Sequence, residues 1–486
     1  MRNEQFSEAA QYFAKAVGVD NKNLTALNNF GASLIRIRKL NEAKEILLYA
    51  LELDPKNIDA HVNLGTVYQG LIEPQKSLEV AFKVIELNPS SFIAYNNLGC
   101  ALGDLLQLED AREAYLTALA LNPSYMNAII NLAQLEAKLG NELRCIELYE
   151  EALTSNNITA GQKDVIKYYL SHSYLFIGKL DKGWDYYDFG FADLLPTGAF
   201  RSERKFVQPV WIGNLDEKRT ILIWREQGLG DEILFSSCLS DIHESNLNII
   251  LECDPRLVDI FQRTYPNFKV RGESINAEHY SVFNDFEIHL AIGSLPRYFR
   301  RDIHNFERPA TIWHPKPEAV NLFRTRLEPF QNKILVGICW RSGNLSVDRN
   351  SNYTALQDWG ILLSNPKFQF VNLLHGECEG ELVQVEELFG IQILRWSDID
   401  LRNDLESVLG LISELDCVVS IGSAVSVIAG AAGLNTLVLL RQSWVLMGKP
   451  SKYHWFPNVK PFAPGKHEHV GVNIKNLEPY ITKRAH

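Results

Sequence analysis

The chain contains little that would cross-link it or bind a metal through sulfur. Its seven cysteines are scattered through 486 residues, are odd in number and include no C-x-x-C pair. This distribution argues against a disulfide framework and a zinc motif, and it favours a reducing, cytoplasmic location. The N-terminal residues also lack the apolar run of a signal peptide and are typical of an amphipathic helix.

Positive charge is in short supply as well. Lysine and arginine number 48 against 59 acidic residues, which gives a net charge of −11. Such a field repels phosphate backbones and argues against a dedicated nucleic-acid-binding protein.

Residues 417–440 are uncharged, but their glycines, serines and Asn435 predict strand, turn, helix and strand, and no membrane span.

A period of 34 residues runs through the first third of the chain. Glycine recurs at that spacing, a proline ends each unit, and two further small positions keep the same phase. These residues are Gly31, Gly65 and Gly99; Pro55, Pro89 and Pro123; Ala9, Ala43, Ser77, Ala111 and Cys145; and Ala16, Ala50, Val84, Ala118 and Ala152. Small side chains let two helices approach closely and proline cannot continue a helix, so each unit is predicted as a helical hairpin. The pattern resembles the tetratricopeptide repeat.

The repeats predict an array over residues 1–192, in which the last unit, 163–191, is degenerate. Residues 193–218 lose the periodicity, contain prolines and glycines and are predicted as a linker. Beyond them, apolar runs such as "TILIW", "NIILEC", "ILVGICW" and "CVVSI" alternate with helical stretches. This alternation predicts an α/β unit of two Rossmann-like halves, 219–332 and 333–486, with parallel sheets and a cleft between them.

Several motifs at predicted strand ends carry a family resemblance. They are "WREQGLGDEILF", "ICWRSGN", "FVNLLHGE", "RWSDIDLRNDLES" and "LDCVVSIGSAVSVIAGAAG". Together with the repeats they resemble bacterial tetratricopeptide-repeat glycosyltransferases related to the heptosyltransferases. The architecture is similar to that of O-linked N-acetylglucosamine transferases, in which an array precedes a GT-B catalytic unit. The resemblance implies inverting sugar transfer from a nucleotide-sugar donor, without a metal or other cofactor.

Candidate donor-binding residues lie at predicted strand ends of the second half. The turn of Gly422, Ser423 and Ala424 opens a helix whose N-H groups and dipole suit a phosphate, and Ser426 adds a hydroxyl. Alternatively, this is only a tightly packed glycine turn. The family pattern usually carries aspartate, threonine and histidine where this chain has Gly422, Ser423 and Val427.

Arg341 follows the strand "ILVGICW" and is the candidate cation for the leaving diphosphate. Its loop also contains Ser342, Gly343, Asn344 and Arg349. The alternative is a surface loop whose arginines meet only water or nearby carboxylates. At equivalent strand ends, His375, Glu377 and Asp398 are candidate contacts to the base or ribose.

Asp231 stands at the start of a helix, after a strand and a G-L-G turn. An acidic residue in the first helical turn contributes about 0.3 to 1 kcal/mol and needs no substrate. The heptosyltransferase resemblance, however, implies a general base at this rim of the cleft. We therefore predict Asp231 as the base, with Glu226 and His375 as fallbacks and Gly228 and Gly230 allowing close backbone approach.

Two aspartates, Asp398 and Asp400, form a D-I-D that mimics a metal-binding D-x-D motif. A helix N-terminus follows at Asn403 and Asp404, so a capping or loop role is the stronger interpretation. No metal site is predicted.

Asparagines Asn29, Asn63, Asn97 and Asn131 recur at the repeat period on the first helix of each unit. In such solenoids this helix lines the concave surface, where an amide can bind a peptide backbone without reading its sequence. A similar ladder occurs in the O-linked N-acetylglucosamine transferases. The alternative is a role in helix packing.

The sequence thus predicts a glycosyltransferase that moves a sugar to a protein Ser or Thr hydroxyl, the acceptor being recruited by the repeats. Flagellin or another surface-appendage protein is one acceptor that the resemblance implies. Two alternatives stay open: a lipid or saccharide acceptor, and a non-catalytic repeat scaffold, which the departures at Gly422 and Val427 favour.

Overall fold

The structure is a computed structural model that describes residues 2–191, 201, 204, 206–273, 285–307, 310–343, 352–465 and 468–483. The chain divides into two compact units, and the boundary falls after Leu170. Ser171–Phe191 groups with the α/β part of the chain and not with the repeats. The sequence pattern predicts that the array ends at residue 192. The structural boundary lies earlier, after Leu170.

Helices joined by short turns fill the first unit. They are α1 (Arg2–Val19), α2 (Leu24–Arg36), α3 (Leu40–Leu53), α4 (Ile58–Gly70), α5 (Pro74–Leu87), α6 (Phe92–Asp104), α7 (Leu108–Leu121), α8 (Met126–Lys138) and α9 (Glu142–Thr154). The next helix, α10 (Ala160–Phe176), crosses the unit boundary.

Local interactions repeat with the predicted period of 34 residues. The side chains of Asn23, Asn57 and Ser91 each accept a hydrogen bond from the backbone N-H three residues later, at 3.0, 2.9 and 3.3 Å. Such N-caps begin alternate helices. A methyl group on Gly99 would lie 2.5 Å from the Tyr115 ring, so only glycine allows these two helices to approach so closely. The predicted helical hairpins are confirmed.

The turn inside each helix pair places one residue in the left-handed region. These residues are Arg38, Ile72, Leu106 and Gly140, with φ angles of 63°, 59°, 62° and 81°. Glycine adopts this conformation without strain, whereas any residue with a Cβ resists it, and a β-branched residue such as Ile72 resists it most. The turns at Ile72 and Leu106 therefore form at some cost.

Aromatic packing explains why the end of the helical region belongs to the second unit. Trp184 and Tyr187 lie on α11 (Leu180–Tyr187), and their rings are 6.4 and 5.9 Å from that of Phe235. Trp184 also meets Trp444, at 6.1 Å. These contacts join residues that are far apart in the chain, so the periodicity of the sequence does not reveal them.

A parallel four-stranded sheet forms the first half of the α/β unit. Its strands are β1 (Ile221–Trp224), β2 (Ile249–Cys253), β3 (Lys269–Gly272) and β4 (Ile288–Ala291), in the order β3-β2-β1-β4. The helices that follow its strands are α12 (Leu229–Ser236), α13 (Val258–Thr264) and α14 (Leu295–Phe299).

A parallel six-stranded sheet forms the second half. Its strands are β5 (Ile334–Cys339), β6 (Phe368–Asn372), β7 (Ile393–Leu394), β8 (Cys417–Ile421), β9 (Thr436–Leu439) and β10 (Val459–Phe462), in the order β10-β9-β8-β5-β6-β7. Its helices are α15 (Pro317–Leu327), α16 (Gly360–Leu363), α17 (Glu379–Phe389), α18 (Leu405–Ser413) and α19 (Ala424–Ala431). The predicted parallel α/β organisation is confirmed for the described residues.

Part of the predicted linker, 193–218, packs against the α/β unit. Trp211 is 1% exposed, and its backbone N-H donates to the His289 carbonyl at 2.7 Å. Val210 pairs with the same residue in a parallel bridge at the edge of the sheet. Arg201 is fully buried. Prolines and charges made this stretch resemble a connector, but burial of these side chains makes it part of the fold.

Candidate functional site

In each sheet, the order of the strands along the chain reverses at one point. A strand followed by a predicted site motif lies next to that point in both sheets. The reversal lies between β1 and β4 in the first half and between β5 and β8 in the second. In open α/β sheets, ligands bind at the carboxyl ends of the strands at such a point. Helix α12 follows β1 and helix α19 follows β8, so both begin at these positions.

The N-termini of α12 and α19 lie together. A methyl group placed on Gly230 would be 3.9 Å from the Cα of Ala424 and 4.0 Å from its backbone nitrogen. Gly228 is the N-cap of α12, and Asp231 stands in its first turn. Both helices present the positive end of their dipole here, which favours an anion beside them. Gly230 is thus brought close to Ala424, and Asp231 follows it in the same helical turn.

Asp231 also acts electrostatically on a residue that the sequence did not mark as part of the site. Burial raises the pKa of the Tyr453 hydroxyl, and the charge of Asp231 raises it further. Tyr453 is 7% exposed and lies on the loop between β9 and β10. Asp231, on the first half, therefore lies within electrostatic reach of a buried phenol from the second half. No motif marks Tyr453 in the sequence.

The serines of the Gly422 turn form hydrogen bonds within the turn itself. The Ser423 N-H donates to the Ser426 hydroxyl at 3.2 Å, and that hydroxyl donates to the Ser423 carbonyl at 2.7 Å. The Ser423 hydroxyl lies 3.1 Å from that of Ser420 and 3.8 Å from the Cys339 sulfur. Ser423 is the N-cap of α19, and the Ser426 hydroxyl is engaged by the Ser423 backbone in a capping box and is not free to bind a phosphate.

Arg341, the predicted cation, is neutralised by a carboxylate. Its Nε donates to Glu381 at 2.9 Å, and one terminal nitrogen also pairs with Glu381 and donates to the Glu377 carbonyl at 2.7 Å. Another terminal nitrogen donates to the Ser342 carbonyl at 3.2 Å. Glu381 raises the pKa of Arg341, so both groups stay charged and the pair has little net charge to offer a diphosphate. The sequence shows the arginine but not its partner on α17.

The loops after β5 and β6 are packed together. A methyl group on Gly343 would lie 2.2 Å from the His375 ring, so glycine is required where these loops touch. Partial burial lowers the pKa of His375, and the nearby Arg402 and Arg256 lower it further. The imidazole is therefore neutral at pH 7 and able to accept a proton. Asn344 and Arg349, predicted in the same loop, lie outside the described residues.

A cavity of about 840 Å³ opens at the carboxyl ends of β6 and β7. Its wall contains His375, Glu377, Trp396, Arg395 and Arg402. A volume of this size accommodates a small organic ligand, and the aromatic and charged side chains suit a base, a ribose or a phosphate. Two of the predicted nucleotide contacts, His375 and Glu377, line this cavity.

Asp398 and Asp400 take local structural roles. The Oδ1 atom of Asp398 accepts a hydrogen bond from the Arg326 guanidinium at 3.0 Å. Asp398 does not line the cavity. Asp400 accepts from the N-H groups of Arg402 and Asn403 at 2.9 and 3.0 Å, which stabilises the turn. This geometry agrees with the loop interpretation of the D-I-D motif. Among the described residues no cluster of three or more His, Cys, Asp or Glu could hold a metal ion.

Glu226, a fallback base, forms a buried ion pair. Its carboxylate contacts the Arg201 guanidinium through both oxygens and accepts from the Gly293 N-H at 3.1 Å. Arg201 also donates to Asp188 at 2.7 Å and to Ser294 at 3.0 Å. With its oxygens committed to a fully buried cation, Glu226 does not serve as an acceptor-facing base.

The four ladder asparagines have unequal surroundings. Asn29 is exposed and Asn63 is half-buried, whereas Asn97 is only 6% exposed. The Asn131 amide donates to Asn96 at 2.9 Å and contacts the Cys100 sulfur at 3.3 Å. Asn97 and Asn131 therefore take part in helix packing, and Asn29 and Asn63 are the members with the most accessible amides.

None of the helices within the described ranges combines the length and apolar character needed to cross a lipid bilayer. A tetratricopeptide-repeat family model matches residues 93–125. This segment is a tetratricopeptide repeat, and it belongs to the region in which helical hairpins recur with a period of 34 residues. Such repeats are a scaffold for protein–protein interaction.

Protein FlbA of Caulobacter vibrioides is 30% identical over 302 residues, which cover 60% of this chain and 50% of FlbA. The chain thus spans half the length of this relative. Partial likenesses to solved structures include PilF of Pseudomonas aeruginosa, 23% identical over 34% of this chain and 74% of that chain, with a TM-score of 0.30. A tetratricopeptide-repeat protein of Thermus thermophilus is 17% identical over 34% of this chain and 89% of that chain, with a TM-score of 0.32.

Proposed function

We propose that the protein is an inverting, metal-independent glycosyltransferase of GT-B architecture. It moves a sugar from a nucleotide-sugar donor to a Ser or Thr hydroxyl of a protein acceptor. The observation that carries this proposal is the meeting of α12 and α19, one from each half, at Gly230 and Ala424. The meeting point lies at the carboxyl ends of both sheets and includes a carboxylate, Asp231, beside two helix N-termini.

Asp231 supplies the general base in this proposal. Its carboxylate takes the proton from the acceptor hydroxyl, and the oxygen of that hydroxyl forms a bond to the anomeric carbon of the donor sugar. The bond from that carbon to the diphosphate oxygen breaks, and the leaving nucleoside diphosphate keeps the electron pair. Attack from the face opposite the leaving group inverts the anomeric configuration. The positive helix ends stabilise the charge that develops on the leaving oxygen.

The cavity beside β6 and β7 is the proposed pocket for the nucleoside. His375 and Glu377 lie on its wall with Trp396, whose ring offers a surface against which a base can pack. Arg402 adds an exposed cation on the same wall. These residues support nucleotide binding without favouring one base over another.

The repeats recruit the acceptor in this proposal. Tetratricopeptide repeats offer a protein-binding surface, and the accessible amides of Asn29 and Asn63 suit the backbone of an extended peptide. Flagellin or another surface-appendage protein is the acceptor class that the family resemblance suggests. A lipid or saccharide acceptor is the alternative for the same chemistry.

A second candidate is a repeat scaffold whose α/β unit has lost catalysis. The ion pair between Arg341 and Glu381 and the internal hydrogen bonds of Ser426 favour it, because both remove groups that would otherwise meet a diphosphate.

A nucleotide screen followed by a donor assay separates these candidates. UDP, GDP, ADP and CMP are each added to the full chain in a thermal-shift assay. A nucleotide at 100 times its Kd stabilises the fold by about 2.7 kcal/mol, and we expect one of the four to do so. The matching nucleotide sugars are then tested for hydrolysis and for transfer to a Ser- and Thr-containing protein in the presence of EDTA. If one nucleotide stabilises the fold but its sugars are neither hydrolysed nor transferred, the scaffold is favoured.

A further inference from the structure

Arg441 follows a strand that ends beside the Gly422 turn. It follows β9, whose neighbour in the sheet is β8, and Leu439 pairs with Ile421 at the end of that ladder. The Gly422 N-H donates to the Leu439 carbonyl at 3.1 Å. Arg441 therefore leaves the sheet at the same edge as the Gly422 turn, two residues beyond the last pairing.

Its side chain is half-buried, and its Nε is buried without a hydrogen-bond partner. No carboxylate in the described part of the chain forms an ion pair with it. By contrast, Arg201, Arg300 and Arg341 are each bonded to a carboxylate. An orphaned N-H on a charged group lowers stability, because the desolvation is not offset by a new hydrogen bond. A bound anion would supply the missing acceptor.

We propose that Arg441 binds the diphosphate of the donor and stabilises its charge as the nucleotide leaves. The proposal rests on the proposed function. It assigns to Arg441 the role that the sequence assigned to Arg341, since Glu381 already occupies that guanidinium. The planar guanidinium pairs with two phosphate oxygens, and the N-terminus of α19 lies on the same edge of the sheet.

The test uses inorganic pyrophosphate, because the diphosphate is the part shared by nucleoside diphosphate donors. Calorimetric titration in buffer with EDTA compares the full-length wild type with Arg441→Gln, Arg441→Lys and Arg324→Gln. Arg324 is an exposed residue of the same half that pairs with Glu414, so its variant controls for the lost charge. We expect Arg441→Gln to weaken pyrophosphate about 10- to 100-fold, Arg441→Lys to weaken it less, and Arg324→Gln to leave it unchanged.

Melting of the ligand-free proteins gives a second readout. If the guanidinium serves to bind an anion, Arg441→Gln melts at about the same temperature as the wild type, since the substitution removes an unpaired charge and leaves an amide where the Nε stood. A clear fall in the melting temperature for both Arg441 variants would assign the residue to the fold and overturn the proposal. Unchanged pyrophosphate affinity in Arg441→Gln, or no binding by the wild type, would also overturn it.

The outcome is separable from that of the proposed function. Pyrophosphate binding that depends on Arg441, in a protein that transfers no sugar, would leave the anion site in place and remove the transferase. Full sugar transfer by Arg441→Gln would support the transferase and overturn the role proposed for Arg441.

Discussion

Gly230 and Ala424, which are 194 positions apart in the sequence, lie against each other: a methyl group on Gly230 would be 3.9 Å from the Ala424 Cα. That spacing is ordinary van der Waals contact. The contact fixes the first turn of α12 relative to the helix that begins the proposed donor site. Asp231, the next residue, is positioned by it.

Replacing Asp231 by Asn should abolish most sugar transfer without unfolding the protein. Asparagine has nearly the same size, and the loss of a charge from the first turn of α12 should cost no more than about 0.3 to 1 kcal/mol, so the melting temperature should fall only slightly. Loss of the proton acceptor should lower turnover by roughly 100-fold or more at saturating donor, while nucleotide affinity persists. Asp398→Asn is the matched control, because its carboxylate pairs with Arg326 at the surface. A stable Asp231→Asn variant that keeps more than about a third of wild-type turnover would rule out the base.

The asparagine ladder should separate into two classes. Asn29→Ala and Asn63→Ala remove accessible amides, and together they should weaken the protein acceptor about fivefold or more while sparing donor hydrolysis. Asn131→Ala removes the hydrogen bond to Asn96 and should lower the free energy of unfolding by about 1 kcal/mol. Acceptor titration and melting of the same variants provide the comparison. If Asn29→Ala and Asn63→Ala bind the acceptor as tightly as the wild type, the ladder is not a peptide-binding surface.

Glycine at two repeat turns should stabilise the array. Ile72 and Leu106 are 57% and 72% exposed and have φ angles of 59° and 62°. Relief of the left-handed strain outweighs the entropy that glycine adds to the unfolded chain, so Ile72→Gly and Leu106→Gly should each gain up to about 1 kcal/mol. Leu143→Gly, at an exposed helical position, should lose about the same amount. Denaturant unfolding of the three variants checks the sign, and a loss at both turns would contradict the strain argument.

The stability of the α/β unit should fall as the pH drops from about 6.5 to about 4 because of His454. Burial lowers the pKa of His454 to about 4, and its Nε2 is buried without a hydrogen-bond partner. Between the two pKa values the unfolded chain binds a proton that the folded state does not, so acid favours unfolding. The penalty should reach about 1 to 3 kcal/mol below pH 4.

His454→Phe should remove this part of the pH dependence, whereas His314→Gln, at an exposed position, should retain it. The measurement is the melting temperature of each protein between pH 4 and pH 7. Parallel curves for the wild type and His454→Phe would show that the group does not titrate as proposed.

The sequence predicted the repeats and the α/β alternation because both are local patterns. A small residue every 34 positions, such as Gly31 or Gly99, is visible without knowing what it contacts. Strand-end residues such as Gly343 and His375 could be placed at one edge for the same reason. What the sequence could not supply were partners far along the chain: Glu381 beside Arg341, Arg326 beside Asp398 and Tyr453 near Asp231. These pairings decide which charges are available to a ligand.

The ion pair between Arg201 and Glu226 limits how this chain could have been assembled from separate genes. A recombination junction placed in the apparent linker, after Arg201, would leave Glu226 as a buried, unpaired carboxylate, a loss of about 3 to 5 kcal/mol. A junction before Ser171 keeps α11, Arg201 and Glu226 together on one exchangeable piece. Repeat arrays of different lengths can therefore be exchanged ahead of this α/β unit only if the last helices of the array are inherited with it.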